Sequence, residues 1–467
     1  MENKVFDVCL HVGTDLFFGA FYEEVKKNLE SRGVSVLLFT LSEEVANYWD
    51  EKGVNDYLLL GSLPEEVDEN FCLKLIEQYG FDSIATFYRT EAYVFDLPDS
   101  WGLKQACRYI HAIYAFNNSP RALSYCTYEG DEFEHNAFRL LCRMHNGKMN
   151  YFGFSNLMAR THFHKDERRY WATPVELSVS PIPDKEKEWI EDYIKQYTSN
   201  RTILWGDPKS FDIQFKWNYF LKAWKKIIKQ IRGQIETKYY QYNFFNTARS
   251  YVMRLLRRQF SLFLYKKMKL DGNDNSKYYY FPLHVPHDSQ LTQRGLPFYD
   301  QASLVRILSQ YISYPYKLIV KEHPQGRGYY KISTLNRIKR LPNVILVPPG
   351  YNSHDIISKA DAVFAINSSV GYEAIMYKKP VVALGRSFYR DCGVTIDINS
   401  LYELEDINSK IKRFSINDED VINFIWRVKK STYDLTLYPL NAHNYKEKIE
   451  DFSVAIYEEV YKKDNAQ

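Results

Sequence analysis

Residues 358–384 read SKADAVFAINSSVGYEAIMYKKPVVAL. The apolar run predicts a buried strand over 362–366, which a turn at 367–371 joins to a helix over 372–377. A further apolar run after Pro380 predicts the next strand. A strand, turn, helix and strand in so few residues are typical of a parallel sheet covered by helices.

The same alternation of short apolar and longer amphipathic stretches extends over most of the chain. In the first half the predicted strands are 5–12, 34–39, 57–60, 83–87 and 123–127, and in the second half they are 278–283, 317–320, 344–347, 362–366 and 381–384. We therefore predict an α/β fold of two Rossmann-like halves.

Composition limits the classes of function. The chain has 467 residues, 45% of them hydrophobic, which is ample for two domains, and its net charge of +3 gives no general case for nucleic-acid binding. The cysteines have neither CxxC nor metal-ligand spacing; they are Cys9, Cys72, Cys107, Cys126, Cys142 and Cys392. No apolar run is long enough to cross a bilayer, so a cytoplasmic protein, attached at most to a membrane surface, is expected.

The turn at 367–371 carries groups that suit a phosphate. Ser368 and Ser369 supply hydroxyls beside Asn367, and the following helix offers free backbone N–H groups and a partial positive charge. Gly371 is expected to let a ligand approach closely. The alternative is that Ser369 only caps the helix.

Four further candidates lie directly after predicted strands or within a predicted helix of the second half. Lys321 and His323 follow the strand 317–320, and an imidazole can donate to a phosphate or leaving group. His284 follows the strand 278–283, and a structural histidine is the alternative there. Glu373 lies one helical turn beyond Ser369; it suits ribose hydroxyls, or simply complements the positive helix terminus.

Several of these stretches together resemble the capsule polysaccharide biosynthesis proteins, which include capsular Kdo transferases. They agree in order and spacing, and are YFPLHV (280–285), DQ (300–301), VKEHP (320–324), INSSVGYEA (366–374) and VVALGRSFY (381–389). Where many relatives continue with Gln-Pro-Glu after residue 285, this chain has Pro286, His287 and Asp288.

The resemblance implies a GT-B glycosyltransferase, in which two Rossmann-like domains face a central cleft. We expect an N-terminal acceptor domain over 1–205, a basic helical linker over 206–270, a donor domain over 271–435 and a C-terminal helix over 436–467 that crosses back. By analogy His323, Ser368 and Ser369 contact the donor. Similar His-Pro and Ser-Ser elements in bacterial sialyltransferases and teichoic-acid glycerophosphotransferases favour a cytidine nucleotide.

The implied function is transfer of a CMP-linked sugar, Kdo-like or sialic-acid-like, onto a glycan or glycolipid acceptor of a bacterial capsule or other surface polysaccharide. Two alternatives stay open. One is a CDP-polyol phosphotransferase of the teichoic-acid type, and the other is a non-catalytic subunit of a capsule assembly complex.

Such a transferase needs a base for the acceptor hydroxyl. Glu129 is the first candidate, because it follows the strand 123–127 and precedes Gly130, which is similar to the element that carries the base in bacterial sialyltransferases. An exposed loop acid is the alternative. Asp15, after the strand 5–12, is the second candidate.

No cofactor or metal is expected, because no Asp-x-Asp element follows a strand and a CMP donor has a single phosphate. Residues 216–269 are rich in Lys, Arg and aromatic residues and contain one acid, Glu236. This segment is either a solvated helical pair between the domains or an attachment to the inner face of the cytoplasmic membrane.

Overall fold

The computed structural model describes residues 4–157, 160–165, 181–201, 244–266, 277–292, 294–437 and 445–462. Within them the chain forms two sheets, each covered by helices. The strands of the first sheet are β1 (Val5–His11), β2 (Val36–Thr40), β3 (Tyr57–Leu59), β4 (Arg121–Tyr128), β5 (Lys148–Phe154), β6 (Thr161–His164) and β13 (Thr432–Tyr433). Those of the second are β7 (Tyr278–Pro282), β8 (Lys317–Lys321), β9 (Val344–Val347), β10 (Ala362–Ala365), β11 (Val381–Ala383) and β12 (Ile396–Asp397).

Both sheets have the strand order of a Rossmann-like domain. The first runs β13-β6-β5-β4-β1-β2-β3 and the second β12-β11-β10-β7-β8-β9. Counted from its own first strand, the second sheet is ordered 6-5-4-1-2-3, with all its pairs parallel. The prediction of two Rossmann-like halves is confirmed.

Helices cover both faces of each sheet. In the N-terminal half they are α1 (Leu16–Ser31), α2 (Glu43–Glu51), α3 (Glu69–Gln78), α4 (Arg89–Phe95), α5 (Asp99–Tyr114), α6 (Phe133–Met144) and α7 (Asp184–Asn200). They continue as α8 (Phe244–Ser261), α9 (Ser289–Thr292), α10 (Gln301–Tyr311), α11 (Ile332–Lys339), α12 (Ser353–Lys359), α13 (Ser369–Met376), α14 (Ile407–Arg413), α15 (Asp418–Lys430) and α16 (Tyr445–Ile456).

One predicted strand is wrong. Residues 84–87 form a short 3-10 helix, because the Ser83 hydroxyl accepts a hydrogen bond from the backbone N–H of Ala85 at 3.1 Å and so caps a helical turn. Only Phe87 of this turn is buried. The place beside β1 in the sheet is taken by β4, which pairs with it in parallel.

The chain passes between the two halves more than once. α7 falls within the predicted N-terminal domain, yet its Ile190 and Tyr197 share a core with Phe424 of α15 in the second half. After α15 the chain returns: β13 pairs with β6, and Phe452 of α16 lies 5.8 Å, centroid to centroid, from Phe21 of α1. The described part of the predicted crossing helix, α16, thus packs on the N-terminal sheet.

Of the predicted linker 206–270, residues 206–243 and 267–270 lie outside the described residues. Its described part includes α8, which is anchored to both halves. Arg257 of α8 forms an ion pair with Asp96 at 2.6 Å, and Arg254 donates to the hydroxyl of Tyr329. No helix in the described part of the chain is long and apolar enough to span a bilayer.

Candidate functional site

The second sheet brings the predicted donor residues to one edge. β7 lies between β8 and β10, so the carboxyl ends of these three strands are neighbours. His284 follows β7, His323 follows β8, and Asn367, Ser368 and Ser369 follow β10. His284 is therefore placed between His323 and the Ser368-Ser369 turn, which are both expected to contact the donor.

His323 has a defined hydrogen-bonding state. Its Nδ1 accepts from the backbone N–H of Gln325 at 3.2 Å, at the start of the 3-10 turn Pro324–Gly326. Burial, with the nearby charge of Lys321, lowers the pKa of His323 to about 4. A neutral imidazole that accepts at Nδ1 carries its proton on Nε2, so His323 can donate that N–H to an anion.

Lys321 is held inside the domain. Its ammonium donates to the carbonyl of Tyr351 at 2.8 Å and to the hydroxyl of Ser353 at 2.7 Å, and the residue is 5% exposed. Glu373 is also buried, and its carboxylate interacts with the Lys321 charge. The hydrogen bonds of Lys321 join the end of β8 to the start of α12, and its charge also acts on Glu373 of α13.

Ser368 is the helix cap. Its Oγ accepts from the backbone N–H of Val370 at 3.2 Å, whereas Ser369 is the first residue of α13. The alternative that Ser369 is only a cap is therefore wrong. Ser369 is partly exposed, and its hydroxyl donates to Glu373 at 3.5 Å, a long hydrogen bond that a ligand can readily replace.

A glycine is required at position 371 for a different reason from the one expected. A Cβ built at Gly371 would lie 2.4 Å from the Tyr389 hydroxyl oxygen. That hydroxyl donates to the Ser368 carbonyl at 3.0 Å. The space beside Gly371 is thus filled by Tyr389, which braces the turn, and is not left for a ligand.

The Asp300-Gln301 motif positions His284. The side-chain carbonyl of Gln301 accepts from the His284 backbone N–H at 2.8 Å, and the Tyr330 hydroxyl donates to the His284 carbonyl at 2.8 Å. Asp300 caps α10. The backbone of the loop after β7 is therefore fixed from two sides.

Several buried polar atoms at this edge lack a hydrogen-bond partner among the described residues. Nε2 of His284 and Oδ1 of Asn367 are among them. Burial, followed by the neighbouring His323, lowers the pKa of His284 to about 3, so its ring is neutral. Because a buried unsatisfied polar atom costs about 1–3 kcal/mol, these atoms favour a ligand that satisfies them.

The loop after β7 also reaches the other domain. Asn367 donates to the Gln290 carbonyl, and the Thr292 hydroxyl donates to the Asp131 carboxylate. Two residues further on, Arg294 forms an ion pair with Glu129 at 2.9 Å. Asp131 and Glu129 follow β4 of the first sheet. The carboxyl edges of the two sheets therefore face each other across one cleft, as GT-B implies.

Glu129 is the centre of a buried charge cluster. One carboxylate oxygen, Oε1, accepts from Nε2 of His162 and, at 3.0 Å, from Nε2 of His164. The other, Oε2, pairs with Arg294. The Glu129 side chain is 9% exposed, so the alternative of an exposed loop acid is wrong.

This cluster sets the charge state of Glu129. Burial alone would raise its pKa, but Arg294 and His162 lower it well below the ordinary value of a glutamate. Burial lowers the pKa of His162 to about 4. In this arrangement Glu129 is an ionised hydrogen-bond acceptor, and it becomes a stronger base only when Arg294 moves away.

Asp15 has a structural task. Its Oδ1 accepts from the backbone N–H of Phe17 at 2.8 Å and caps α1, and the residue is exposed. It lies at the end of β1, next to β4 in the sheet, so it is on the same edge as Glu129. The cap is a sufficient reason for an aspartate here.

Sequence reasoning missed Arg294, His162, His164, Asp131 and Asp288 as members of this edge. Asp288 is partly exposed; burial raises its pKa and Arg294 opposes that rise. The available signal was the spacing of His162 and His164, which puts two histidines on one face of a strand. That strand, β6, has only four residues and was not predicted.

Part of the chain is similar to a known protein family. Residues 194–415 match the family described as capsule polysaccharide biosynthesis protein. This match covers 222 of the 467 residues, from 194 to 415, and makes that part of the chain similar to the family. The resemblance seen in the sequence is confirmed, and the matched residues include the His323 and Ser368-Ser369 elements of the site.

Individual relatives of this family are distant. A stretch of 162 residues is 28% identical to the capsule polysaccharide export protein KpsS of Escherichia coli, and covers 32% of this chain and 40% of KpsS. The chain thus spans about two fifths of the length of the curated relative that it matches.

Solved structures show weaker similarity. The β-Kdo 2,4-transferase of KpsC from Thermosulfurimonas dismutans aligns with a TM-score of 0.35 and 14% identity, over 66% of this chain and 87% of that one. A glycosyltransferase from Rickettsia africae aligns with a TM-score of 0.29 and 10% identity, over 98% and 99% of the two chains. At these TM-scores the alignments carry no argument about activity.

Proposed function

We propose that this chain is a glycosyltransferase that takes a sugar from a nucleotide donor, CMP-linked and Kdo-like or sialic-acid-like, and adds it to a bacterial capsule or other surface polysaccharide. The observation that carries the proposal is the meeting of two Rossmann-like carboxyl edges across one cleft, with neutral histidines and a serine turn on one side and an ionised glutamate on the other. The family match over residues 194–415 supports the capsule context.

The donor phosphate binds at the second sheet. His323 offers an Nε2–H, Ser369 a hydroxyl, and α13 the partial positive charge of its N-terminus. His284 and Asn367 satisfy their unpaired atoms with polar groups of the nucleotide or sugar. Lys321 and Glu373 act as positioning residues, because Lys321 bonds the end of β8 to the start of α12 and Glu373 accepts the hydrogen bond of the Ser369 hydroxyl.

The leaving nucleotide gains negative charge as the glycosidic bond breaks. Donors already aimed at that phosphate stabilise the charge without reorganising, and this lowers the barrier for transfer. A single phosphate needs few donors, so the donor side works without a metal or other cofactor. A neutral His323 serves this purpose throughout the physiological pH range, because its pKa lies near 4.

The acceptor hydroxyl is placed beside Glu129, across the cleft. Glu129 receives the proton while the two edges are together, once the acceptor displaces Arg294 from its carboxylate, since the loss of that positive charge raises the basicity of the group. Asp15, on the same edge, is the second candidate.

The direct test is to incubate the purified chain with CMP-Kdo or CMP-sialic acid and measure released CMP, with and without acceptor. We expect release that His323→Ala reduces at least about tenfold, since a hydrogen bond to a charged group contributes about 1.5–3 kcal/mol. His111→Ala, an exposed histidine on α5, is the matched control and should leave the rate unchanged.

Three other results would lead elsewhere. Phosphorus in the product indicates a CDP-polyol phosphotransferase. No CMP or CDP release from any candidate donor indicates a non-catalytic subunit of a capsule assembly complex. Equal rates in His323→Ala and the wild type contradict the assignment of the donor site.

We further propose attachment to an anionic membrane surface through α8 and its flanks. Met253, Leu256 and Phe260 recur at intervals of three or four residues along α8 and are 38%, 46% and 58% exposed, so they form an apolar stripe on one face. Phe263, just beyond the end of α8, is 80% exposed. Lys and Arg are frequent on both sides in the sequence. Of the predicted contact region 216–269, residues 216–243 and 267–269 lie outside the described residues.

This attachment is tested by cosedimentation with phosphatidylglycerol vesicles and with phosphatidylcholine vesicles. The wild type should bind the anionic vesicles more strongly, and Phe260→Asp with Phe263→Asp should abolish most of that binding. Tyr402→Asp is the control, since Tyr402 is 81% exposed elsewhere. Equal sedimentation of the wild type and the double variant would refute the contact.

A further inference from the structure

The histidine pair on β6 has no part in the proposed donor binding, yet both imidazoles are buried against the same carboxylate oxygen. His162 and His164 lie two residues apart on one strand, so their side chains point to the same face. Both present Nε2 to a single atom, Oε1 of Glu129. Their side chains are 0% and 3% exposed.

A glycine makes room for this meeting. β5 lies between β4 and β6, and Gly153 of β5 pairs with His162 in the antiparallel register. A Cβ at Gly153 would lie 2.5 Å from both Cδ and Oε1 of Glu129. The carboxylate therefore occupies the space where any other residue at 153 would place its side chain, and so it reaches the histidines.

We propose that Glu129, His162 and His164 form a binding site for a divalent transition metal, with Zn²⁺ the best match. The three side chains each offer one ligand atom, and these atoms all lie within 4.8 Å of one another. Two imidazole nitrogens and a carboxylate oxygen are a typical set for Zn²⁺, whereas Mg²⁺ and Ca²⁺ prefer oxygen ligands alone.

The distances fit such an ion after a small adjustment. Zn–N and Zn–O bonds of about 2.0–2.2 Å place tetrahedral ligand atoms roughly 3.3 Å apart. Nε2 of His164 and Oε1 of Glu129 are 3.0 Å apart, close to that spacing. His162 lies closer to the same oxygen, so its ring has to draw back slightly for the ion to enter.

Arg294 supports the site from outside. It pairs with Oε2 of Glu129 at 2.9 Å, which leaves Oε1 directed at the two histidines. Outer hydrogen bonds of this kind orient ligating carboxylates. Arg294 comes from the loop after β7, so closure of the two domains would complete the surroundings of the ion.

The cation lies on the acceptor side, away from the donor phosphate for which no metal was expected. If the proposed transferase function holds, a metal bound here would lower the pKa of the acceptor hydroxyl, so that its proton can pass to water while Glu129 serves as a ligand. That consequence rests on the proposed function. Binding of the metal itself does not.

The test uses the full chain, stripped with a chelator and dialysed against CoCl₂ or ZnCl₂. We expect about one ion per chain by elemental analysis and a visible Co²⁺ absorption band from the nitrogen and oxygen ligands. His162→Ala, His164→Ala and Glu129→Gln should each weaken binding at least about tenfold, since even outer-shell changes cost 10–100-fold. His111→Ala should bind as the wild type does.

Gly153→Ala is the second kind of variant, because it keeps all three ligands. Its methyl group displaces the Glu129 carboxylate, so the affinity for Co²⁺ should fall as it does in Glu129→Gln. A CMP-induced rise in melting temperature, kept by each variant, shows that the donor domain is folded.

Absence of stoichiometric Co²⁺ or Zn²⁺ in the wild type would overturn the proposal, and so would unchanged affinity in both histidine variants. Because metal content is measured without donor or acceptor, a negative result for metal binding does not depend on whether the chain is a transferase. A chain that transfers sugar but binds no metal loses only this inference, and a chain that binds metal but no nucleotide loses only the function.

Discussion

The Ser368-Ser369 turn depends on Gly371, and Gly371→Ala tests why. The new Cβ would lie 2.4 Å from the Tyr389 hydroxyl oxygen, where ordinary contacts are 3.4–4 Å, so one of the two groups has to move by about 1 Å. Tyr389 is 0% exposed and packs edge-on against Phe388. It therefore has no easy way to move, and its hydrogen bond to the Ser368 carbonyl is strained or lost.

The magnitude follows from three effects. Overpacking costs about 1–3 kcal/mol, and the hydrogen bond about 1 kcal/mol, while alanine gains up to about 1 kcal/mol over glycine within a helix. Gly371→Ala should therefore lower the free energy of unfolding by about 1–3 kcal/mol. It should also weaken CMP binding, because the Ser368-Ser369 turn shifts with Tyr389.

The assay is urea unfolding in a double-mutant cycle with Tyr389→Ala. Once the ring of Tyr389 is removed, Gly371→Ala should cost nothing or stabilise slightly. Gly61→Ala, where a Cβ meets nothing within 4 Å, is the control. An equal cost in both backgrounds, or no cost in the wild type, would refute the packing reason for Gly371.

Two further predictions concern buried charges. Burial raises the pKa of Glu373 to about 7 from 4.5, so the folded chain holds that proton more firmly than the unfolded chain; the resulting stability is full below about pH 4.5 and is lost as the pH rises through about 7. In Glu373→Gln this loss, on the order of 2 kcal/mol, should be absent. The measurement is the free energy of unfolding in urea between pH 4.5 and 7.5. A variant whose stability falls with pH as steeply as that of the wild type would contradict the prediction. Arg294→Ala leaves the Glu129 charge without its closest cationic partner and should lower the free energy of unfolding by about 3 kcal/mol in the same assay. The control is Arg121→Ala, at an exposed residue, which should change the free energy of unfolding little. Equal losses in the two variants would show that the ion pair between the domains contributes nothing.

The sequence predicted most strands of the parallel sheets, because buried strands are short apolar runs, but it missed β5 and β12. The strand after residue 361, predicted over 362–366, spans Ala362–Ala365, and Val344–Val347 agrees at both ends. The strand predicted over 83–87 was wrong, since a local Ser83 cap outweighed a short apolar run. β6 was missed because four residues with two histidines lack an apolar pattern.

The cluster after β7, β8 and β10 could be predicted because its residues lie in short motifs directly after strands. The cluster around Glu129 could not, because its contacts join residues far apart in the chain. Glu129 meets His162, His164 and Arg294 only after β5 and the loop after β7 are in place. Gly371 was assigned to a ligand because its true neighbour, Tyr389, follows a further strand.

The central claim is that His323 and the Ser368-Ser369 turn hold one nucleotide phosphate, and a thermal-shift comparison of CMP, CDP, UDP and GDP tests it most directly. A ligand that binds only the folded state raises the free energy of unfolding by mass action, by about 2.7 kcal/mol at a hundredfold excess over Kd. The melting temperature rises with it. We predict the largest rise with CMP, a clearly smaller rise in His323→Ala, and no change in His111→Ala. A preference for UDP or GDP that His323→Ala leaves intact would contradict the account.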